Sequence, residues 1–205
     1  MARRISNPVL AFALLGLLSP GAARAQDAPP QIWATPAIIA SCLAPACDAT
    51  RFAVEAIDGA RHELRIQFYS FTSPSIAAAI VRARQRGVNV ALLLDKTSPC
   101  QHGAVADQVK AAGIPVAIDS TVRIAHDKVV VIDRDRVIEG SFSASRAAVK
   151  NAENTNLVIS PAVAEAYRAQ WVLHAAASVP YLDRSRSCRA RIREAFAARH
   201  IVGGF

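Results

Sequence analysis

Residues of fixed type and spacing within the stretch 124–160 could carry out phosphoryl transfer. His126 and Lys128 are separated by one residue, Asp133 follows Lys128 by five positions, and Gly140-Ser141 begins seven positions later. A neutral imidazole is a competent nucleophile, an ammonium group neutralises phosphate charge, and serine hydroxyls can hydrogen-bond phosphate oxygens. The set predicts a phosphoryl-transfer site built without a metal ion or any other cofactor.

A hairpin of two strands is the element that must position these side chains. The β-branched run 129–132 predicts a strand over residues 126–133, in which alternate side chains share a face, so His126 and Lys128 point the same way. A turn over residues 134–136 then leads into a second predicted strand over residues 137–143. Pairing of the two strands would bring the serines of the second strand near the imidazole and the ammonium group.

Helices and strands alternate along the rest of the chain. Apolar periodicity and terminal residues predict helices over 50–60, 74–86, 104–112 and 161–177, strands over 64–68, 88–94, 114–118 and 155–159, and a short helical stretch near 146–150. Trp171 and Leu173 are expected to pack the last helix. The alternation predicts an α/β fold around a mixed sheet flanked by helices, because the hairpin is antiparallel while helical crossovers favour parallel neighbours.

The spacing from His126 to Ser141 resembles the HKD motif of the phospholipase D superfamily. The segment Asn-Ala-Glu-Asn at 151–154 resembles the acidic segment that follows this motif in short members, and the segments 68–72 and 86–95 are similar to those of the small bacterial periplasmic endonucleases of the superfamily. The resemblance runs over residues 50–175, most of the chain. It implies a phospholipase D/nuclease-like sandwich and hydrolysis of phosphodiester bonds.

The resemblance also implies roles for four residues of a catalytic set. His126 is expected to attack phosphorus and form a phosphohistidine, while Lys128 neutralises the phosphate charge. Glu153 is expected to accept the other imidazole N–H, which would fix the tautomer of the ring. Asp133 completes the motif, and we expect its side chain to hold structure.

Three further residues are expected to contact the substrate phosphate. Ser141 and Ser143 would hydrogen-bond its oxygens, and Gly140 would permit a close backbone approach. The superfamily usually has Asn two residues after the motif serine, whereas this chain has Ser143. A hydroxyl can still donate one hydrogen bond, but it reaches less far than a carboxamide.

A single motif is too little for the complete reaction. Cleavage through a covalent intermediate needs a nucleophile and also a proton donor for the leaving oxygen. Larger members of the superfamily carry two HKD motifs, whereas this chain carries one. We therefore expect a homodimer in which two His126 side chains meet at a two-fold axis, and activity that survives a chelator.

The amino-terminal segment is typical of an export signal. Residues 1–25 combine two early arginines, an apolar run over 9–18 and an Ala-Arg-Ala sequence at 23–25, which predicts a cleaved signal peptide and a periplasmic or secreted protein. An uncleaved membrane anchor is the alternative, although ten apolar residues are too few to span a bilayer. We then expect an extended lead-in over 26–49, a catalytic domain over 50–180 and a basic tail over 181–205.

The charge balance favours a polyanionic partner. The chain carries +8, and loss of the three arginines of the signal peptide lowers this to 24 − 3 = 21 basic against 16 acidic residues, or +5. A nuclease acting on DNA or RNA fits this charge. The alternatives are a phospholipase D acting on phospholipid head groups and a non-catalytic nucleic-acid-binding protein on the same fold.

Four cysteines, at positions 42, 47, 100 and 188, follow the predicted signal peptide. An even number in an exported protein indicates disulfides, for which three pairings are possible. Our preferred pairing joins Cys42 to Cys47 and Cys100 to Cys188. A zinc site is the competing interpretation, but a single Cys-x4-Cys without a second ligand pair disfavours it.

Overall fold

The computed structural model describes residues 35–189. The predicted signal peptide, the start of the lead-in and the end of the basic tail lie outside the described residues. In chain order the elements are β1 Ile38–Leu43, α1 Ala49–Asp58, β2 Glu63–Phe68, α2 Pro74–Gln85, β3 Asn89–Asp95, α3 Ala106–Ala111, β4 Val116–Asp119, β5 Lys128–Ile132, β6 Arg136–Gly140, β7 Asn154–Ile159, α4 Pro161–Ala177 and β8 Val179–Pro180. Short 3-10 turns lie at Ser98–Cys100 and Ala148–Lys150.

The strands form one mixed sheet in the order β1-β7-β6-β5-β2-β3-β4-β8. Strands β2, β3 and β4 are parallel, and the other pairings are antiparallel. The predicted α/β class with a mixed sheet flanked by helices is therefore confirmed. Its parallel part follows from the helical crossovers, and its antiparallel part follows from the hairpin β5–β6.

Alternate residues of the hairpin enter two separate cores. Val130 and Ile132 pack in the larger core with α1, α2 and α3, whereas Val131 packs with Ala164 of α4 on the opposite face. This alternation fixes the register, because a slip by one residue would exchange the two faces. Helix α4 is further attached by the indole N–H of Trp171, which donates to the Ile66 carbonyl at 2.9 Å.

Local signals explain the helix starts. The Asp48 carboxylate accepts the Arg51 amide at 3.0 Å, and the Ser73 hydroxyl accepts the Ile76 amide at 3.4 Å. Both contacts satisfy amide groups that the first turn of a helix leaves without partners. Helix α4 begins at the predicted proline and ends at the predicted residue 177. Leu173 was wrongly expected to pack, since it is 67% exposed.

Two strands were not foreseen, and both strands of the hairpin were predicted too long. β1 lies in the predicted lead-in and pairs with β7, and β8 pairs with β4. The predicted strand over 126–133 is β5 Lys128–Ile132, so His126 precedes it. The predicted strand over 137–143 ends at Gly140, where φ is 144°, a conformation that breaks regular strand geometry.

Both disulfides of the preferred pairing are present. Cys42 is bonded to Cys47 and Cys100 to Cys188, each with 5.4 Å between the Cα atoms. The zinc interpretation is therefore wrong, because all four thiols are consumed. Among residues 35–189, no helix is both long and apolar enough to cross a membrane.

Candidate active site

The candidate site lies where β2 ends and β5 begins. Lys128, the first residue of β5, is paired with Phe68, the last residue of β2. His126 lies two residues before the strand and is exposed. The carboxyl ends of β2 and β3 lie at the same edge of the sheet, so the loops that follow them lie at the edge where His126 lies.

The imidazole and the ammonium group are in direct contact. Lys128 Nζ lies 3.0 Å from His126 Nδ1 and 2.9 Å from the His126 carbonyl oxygen, to which it donates. The ring of Tyr69 packs against the imidazole with 4.5 Å between centroids. Partial burial lowers the pKa of Lys128 below its ordinary value, while the charges of Asp127 and Glu153 oppose this shift. The pair thus combines a nucleophile with a cation at an open surface.

Buried polar groups hold the loop that carries His126. Asp95, fully buried at the end of β3, accepts the amide of Ala125 at 2.8 Å and the amide of Thr97 at 2.7 Å. Gln67 donates to the Asp127 carboxylate at 3.0 Å. Residues 125 and 127 are therefore fixed on both sides of the imidazole. Sequence reasoning missed these supports, although a carboxylate ending an apolar strand was the available signal for Asp95.

Glu153 contacts Ser141 and not the imidazole. Its carboxylate accepts the Ser141 hydroxyl through one oxygen and the Asn151 amide group at 2.9 Å through the other. Ser141 Oγ in turn accepts the Asn154 amide at 3.0 Å. Within residues 35–189 the carboxylate of Glu153 is bonded to Ser141 and Asn151 and not to His126, because the start of β7 brings Glu153 alongside the end of β6. The expected catalytic role of Glu153 stays a prediction.

Gly140 is required by the approach of β7. A Cβ atom at this position would lie 2.3 Å from the Asn154 carbonyl oxygen, and its φ of 144° is one that side-chain-bearing residues rarely adopt. Ser143 is half-buried in the following loop, and its carbonyl accepts the Ser145 amide at 2.7 Å. Gly140 and Ser141 thus lie beside Glu153, at the same edge of the sheet as Lys128.

Asp133 lies at the opposite end of β5 from His126. At about 3.3 Å per strand residue, five residues separate it from Lys128 by about 17 Å. Its side chain accepts the amides of Arg61, His62 and Glu63 at 2.7 to 3.2 Å and pairs with Arg136 at 2.8 Å. Burial alone would raise the pKa of Asp133, but these donors outweigh it and hold the pKa below its usual value. These contacts agree with the expected structural role, and the place of Asp133 in the catalytic set stays a prediction.

The arrangement is suited to an anionic substrate. Among residues 35–189, no carboxylate forms an ion pair with Lys128, and no three His, Cys, Asp or Glu side chains cluster as metal ligands would. The ammonium group is thus available to a phosphate, and the exposed imidazole is within reach of the same phosphate.

Comparison with known proteins defines the class. A family model described as cardiolipin synthase, PLD-like domain, matches residues 53–171. The phospholipase D of Rickettsia felis is 36% identical over 135 residues, covering 65% of this chain and 68% of that protein. The mitochondrial cardiolipin hydrolase of Mus musculus is 27% identical over 106 residues, which are 52% of this chain and 48% of that protein.

Solved structures agree with this assignment. The phospholipase D family member Nuc from Salmonella typhimurium superposes with a TM-score of 0.68 at 32% identity, covering 71% of this chain and 99% of Nuc. NucT from Helicobacter pylori shares the fold, with a TM-score of 0.64 at 21% identity, covering 71% of this chain and all of NucT, 100%. The chain belongs to the PLD-like family. It is a phosphodiesterase of the phospholipase D superfamily.

Proposed function

We propose that the protein is an exported nuclease that hydrolyses DNA or RNA through a phosphohistidine, without a metal ion and as a homodimer. The observation that carries this proposal is the exposed imidazole of His126 with an ammonium nitrogen 3.0 Å from its Nδ1. The motif spacing and the resemblance to small endonucleases support a nucleic-acid substrate. The positive net charge supports it as well.

The reaction has two steps, in which one histidine is the nucleophile and the other first donates and then accepts a proton. The unprotonated nitrogen of His126 attacks phosphorus, and the bond from phosphorus to the leaving oxygen breaks as the partner subunit's His126 protonates that oxygen. Water then attacks the phosphorus of the phosphohistidine, the P–N bond to His126 breaks, and the proton of the water passes to the partner subunit's His126. The products are an alcohol and a phosphate monoester. Lys128 neutralises the charge on the phosphate oxygens during both steps.

Exposed apolar side chains next to the site support the dimer. Val122 and Ile124 precede His126 in the same loop and are 38% and 46% exposed. A second copy placed against this loop would cover them and bring the two imidazoles together across a two-fold axis. Sedimentation velocity checks this part, and an active monomer would contradict it.

Export is supported by chemistry as well as by residues 1–25. Two disulfides are formed by all four cysteines, and disulfides persist in oxidising compartments such as the periplasm. Cell fractionation of the native host tests this part. Recovery of the full-length chain in the cytoplasm would contradict it.

A phospholipase D acting on phospholipids is the second candidate. It is favoured by the names of the Rickettsia relatives, and the apolar side chains of Val122 and Ile124 could face a lipid surface as well as a second copy. The two functions share His126 and Lys128. They differ in what surrounds the phosphate that is cleaved.

The deciding experiment compares three substrates. Purified protein is incubated with plasmid DNA, RNA and phosphatidylcholine vesicles, each with and without EDTA, and beside the variant His126→Ala. We expect cleavage of nucleic acid by the wild type in EDTA and none by the variant. Cleavage of phosphatidylcholine alone would favour the lipase. Salt-dependent DNA binding without any cleavage would favour a non-catalytic binding protein.

A further inference from the structure

After β8 the chain packs on α3 and on the loop 98–105 that precedes it. Tyr181 is buried, donates its hydroxyl proton to Asp107 at 2.6 Å, and has its carbonyl bonded by Lys110 Nζ at 2.6 Å. Residues 184–189 are helical, and Cys188 within them is bonded to Cys100. We call residues 181–189 the C-terminal arm. The arm is therefore attached at its start by Tyr181 and near its end by a disulfide.

Contacts place the arm on a loop that borders the candidate site. Arg184 donates to the Gln101 carbonyl at 3.2 Å, and the Gln101 side chain accepts the Ser70 hydroxyl at 2.6 Å. Ser70 follows Tyr69, whose ring packs on His126. Gln101 therefore contacts both the arm and Ser70, the neighbour of Tyr69. The disulfide at Cys100 attaches the arm to the same loop.

The arm exposes arginines that lack acidic partners. Arg184 and Arg189 are exposed, and within residues 35–189 neither forms an ion pair; Arg186 pairs with Asp183. At the other end of the sheet, six arginines pair with Asp58, Glu63 or Asp133, namely Arg65, Arg82, Arg86, Arg134, Arg136 and Arg168. Arg61 and Arg84 are exposed there without an ion pair within residues 35–189, so they serve as controls below. The arm therefore presents two exposed guanidinium groups that have no acidic partner within residues 35–189.

Arg146 extends this positive surface toward the site. Its amide donates to Thr72 at 3.2 Å, and its guanidinium carbon lies 3.7 Å from the position that a Cβ on Gly103 would occupy. Arg146 therefore adjoins the same loop, close to residue 101. Arg184 of the arm and Arg146 therefore both adjoin the loop 98–105.

We propose that the C-terminal arm binds the phosphates that flank the cleaved bond in a polynucleotide, and that the Cys100–Cys188 disulfide holds it beside the site. The proposal rests on the nuclease function above and specifies its substrate-binding surface. A polynucleotide offers a row of phosphates to such a surface, and guanidinium groups bind them bidentately. The arm lies beyond residues 53–171, which the family model matches.

The test measures binding and cleavage separately. Binding of a fluorescent 30-nucleotide single-stranded DNA is followed by anisotropy as a function of salt, in a His126→Ala background so that no cleavage occurs. Arg184→Ala/Arg189→Ala is compared with Arg61→Ala/Arg84→Ala, which removes two exposed arginines away from the site. Each phosphate contact on a single strand contributes about 0.7 to the steepness of the decrease of log K with log salt. We therefore expect the magnitude of this slope to be smaller by about 1.4 in Arg184→Ala/Arg189→Ala, and unchanged in the control.

A variant without the Cys100–Cys188 disulfide tests whether this bond holds the arm beside the site. Cys100→Ser/Cys188→Ser is expected to weaken DNA binding about five-fold or more, while Cys42→Ser/Cys47→Ser, its matched control, leaves it unchanged. Each variant is also made in the enzyme that keeps His126. There, circular dichroism and hydrolysis of bis(p-nitrophenyl) phosphate, which has no flanking phosphates, show whether the variant is folded and its site intact. Both should be unchanged in Arg184→Ala/Arg189→Ala, which keeps the disulfide.

The outcomes separate this proposal from the proposed function. An unchanged salt slope in Arg184→Ala/Arg189→Ala would show that the C-terminal arm does not bind phosphates, whether or not the wild type cleaves DNA. Equal losses on DNA and on the small phosphodiester also overturn it, since they indicate a structural effect. Failure of the wild type to cleave nucleic acid would contradict the proposed nuclease function. The anisotropy measurement would still show whether the C-terminal arm binds DNA.

Discussion

The two ends of the hairpin β5–β6 both carry charged side chains but use them differently. At the far end, Asp133 accepts three backbone amides and pairs with Arg136, and Glu63 pairs with Arg168 at 2.8 Å. At the site end, Lys128 contacts an imidazole and a backbone carbonyl. Charges at the far end are satisfied within the fold and stabilise it. The cation at the site end remains available to an anion.

The comparison predicts that one end controls rate and the other controls stability. Both ends belong to the same two short strands, so each substitution below can be scored for turnover and for the free energy of unfolding. A substitution that changed both quantities equally would show that the two ends are not separate.

Replacement of the nucleophile should give the largest effect. His126→Ala should lower kcat by at least about 10³-fold, because the proposed reaction has no other group that forms its covalent intermediate. His126 is exposed, so the free energy of unfolding should change by about 0.5 kcal/mol or less. His62→Ala is the matched control, because His62 is exposed at the far end. Loss of turnover in His62→Ala as well would contradict the assignment of turnover to the site end.

Removal of Asp133 should have the opposite result. Asp133→Ala should lower the free energy of unfolding by about 3 kcal/mol, because it leaves backbone amides and Arg136 without their acceptor. The kcat of the folded fraction should stay within a factor of about two of the wild type, since the residue lies far from His126. Urea denaturation and turnover below the transition measure the two quantities. Asp135→Ala, which removes a half-exposed partner of Arg136, should cost about 1 kcal/mol or less.

The stabilisation by Asp133 should depend on pH with a defined sign. Its pKa in the folded state is lower than in the unfolded chain, where it is about 3.9. The contribution is therefore fully present above that value and is lost as the pH falls through the folded-state pKa. The difference in stability between wild type and Asp133→Ala should shrink as the pH is lowered below about 4. A difference that grows on acidification would contradict the assignment.

The sequence alone was enough to predict the hairpin and the residues at its site end. The contacts of Glu153 and the strand β1 could not be predicted, for physical reasons. The period-two pattern placed Lys128 in the hairpin, and the motif spacing singled out His126 beside it. The contact of Glu153 with Ser141 depends on where β7 meets β6, which no local pattern determines. β1 gave no alternating signal because five of its six residues are exposed, and it forms by pairing with β7.

Substitution of Gly140 should affect both stability and turnover, because this residue ends β6 and directly precedes Ser141. Gly140→Ala should cost about 2 kcal/mol or more and should also lower kcat, since the Asn154 carbonyl must move away from the new methyl group. Gly113→Ala is the matched control: its φ is 72°, but no atom lies within 4 Å of the new Cβ. The control should cost about 1 kcal/mol and leave kcat unchanged. Equal effects in both variants would show that backbone conformation, and not the contact with β7, is what matters.

The smallest expected effect belongs to Ser143, which stands where the superfamily usually has Asn. A carboxamide reaches farther than a hydroxyl and can donate a hydrogen bond to the phosphate, which is worth about 1 kcal/mol, so Ser143→Asn should raise kcat/KM by about five-fold. Ser145→Asn is the control, because Ser145 is buried and its hydroxyl is bonded to the Ala148 amide at 3.2 Å. That variant should lose stability without any gain in rate. A Ser143→Asn enzyme with unchanged kcat/KM would show that position 143 does not contact the phosphate, and the site end would then act through His126 and Lys128 without it.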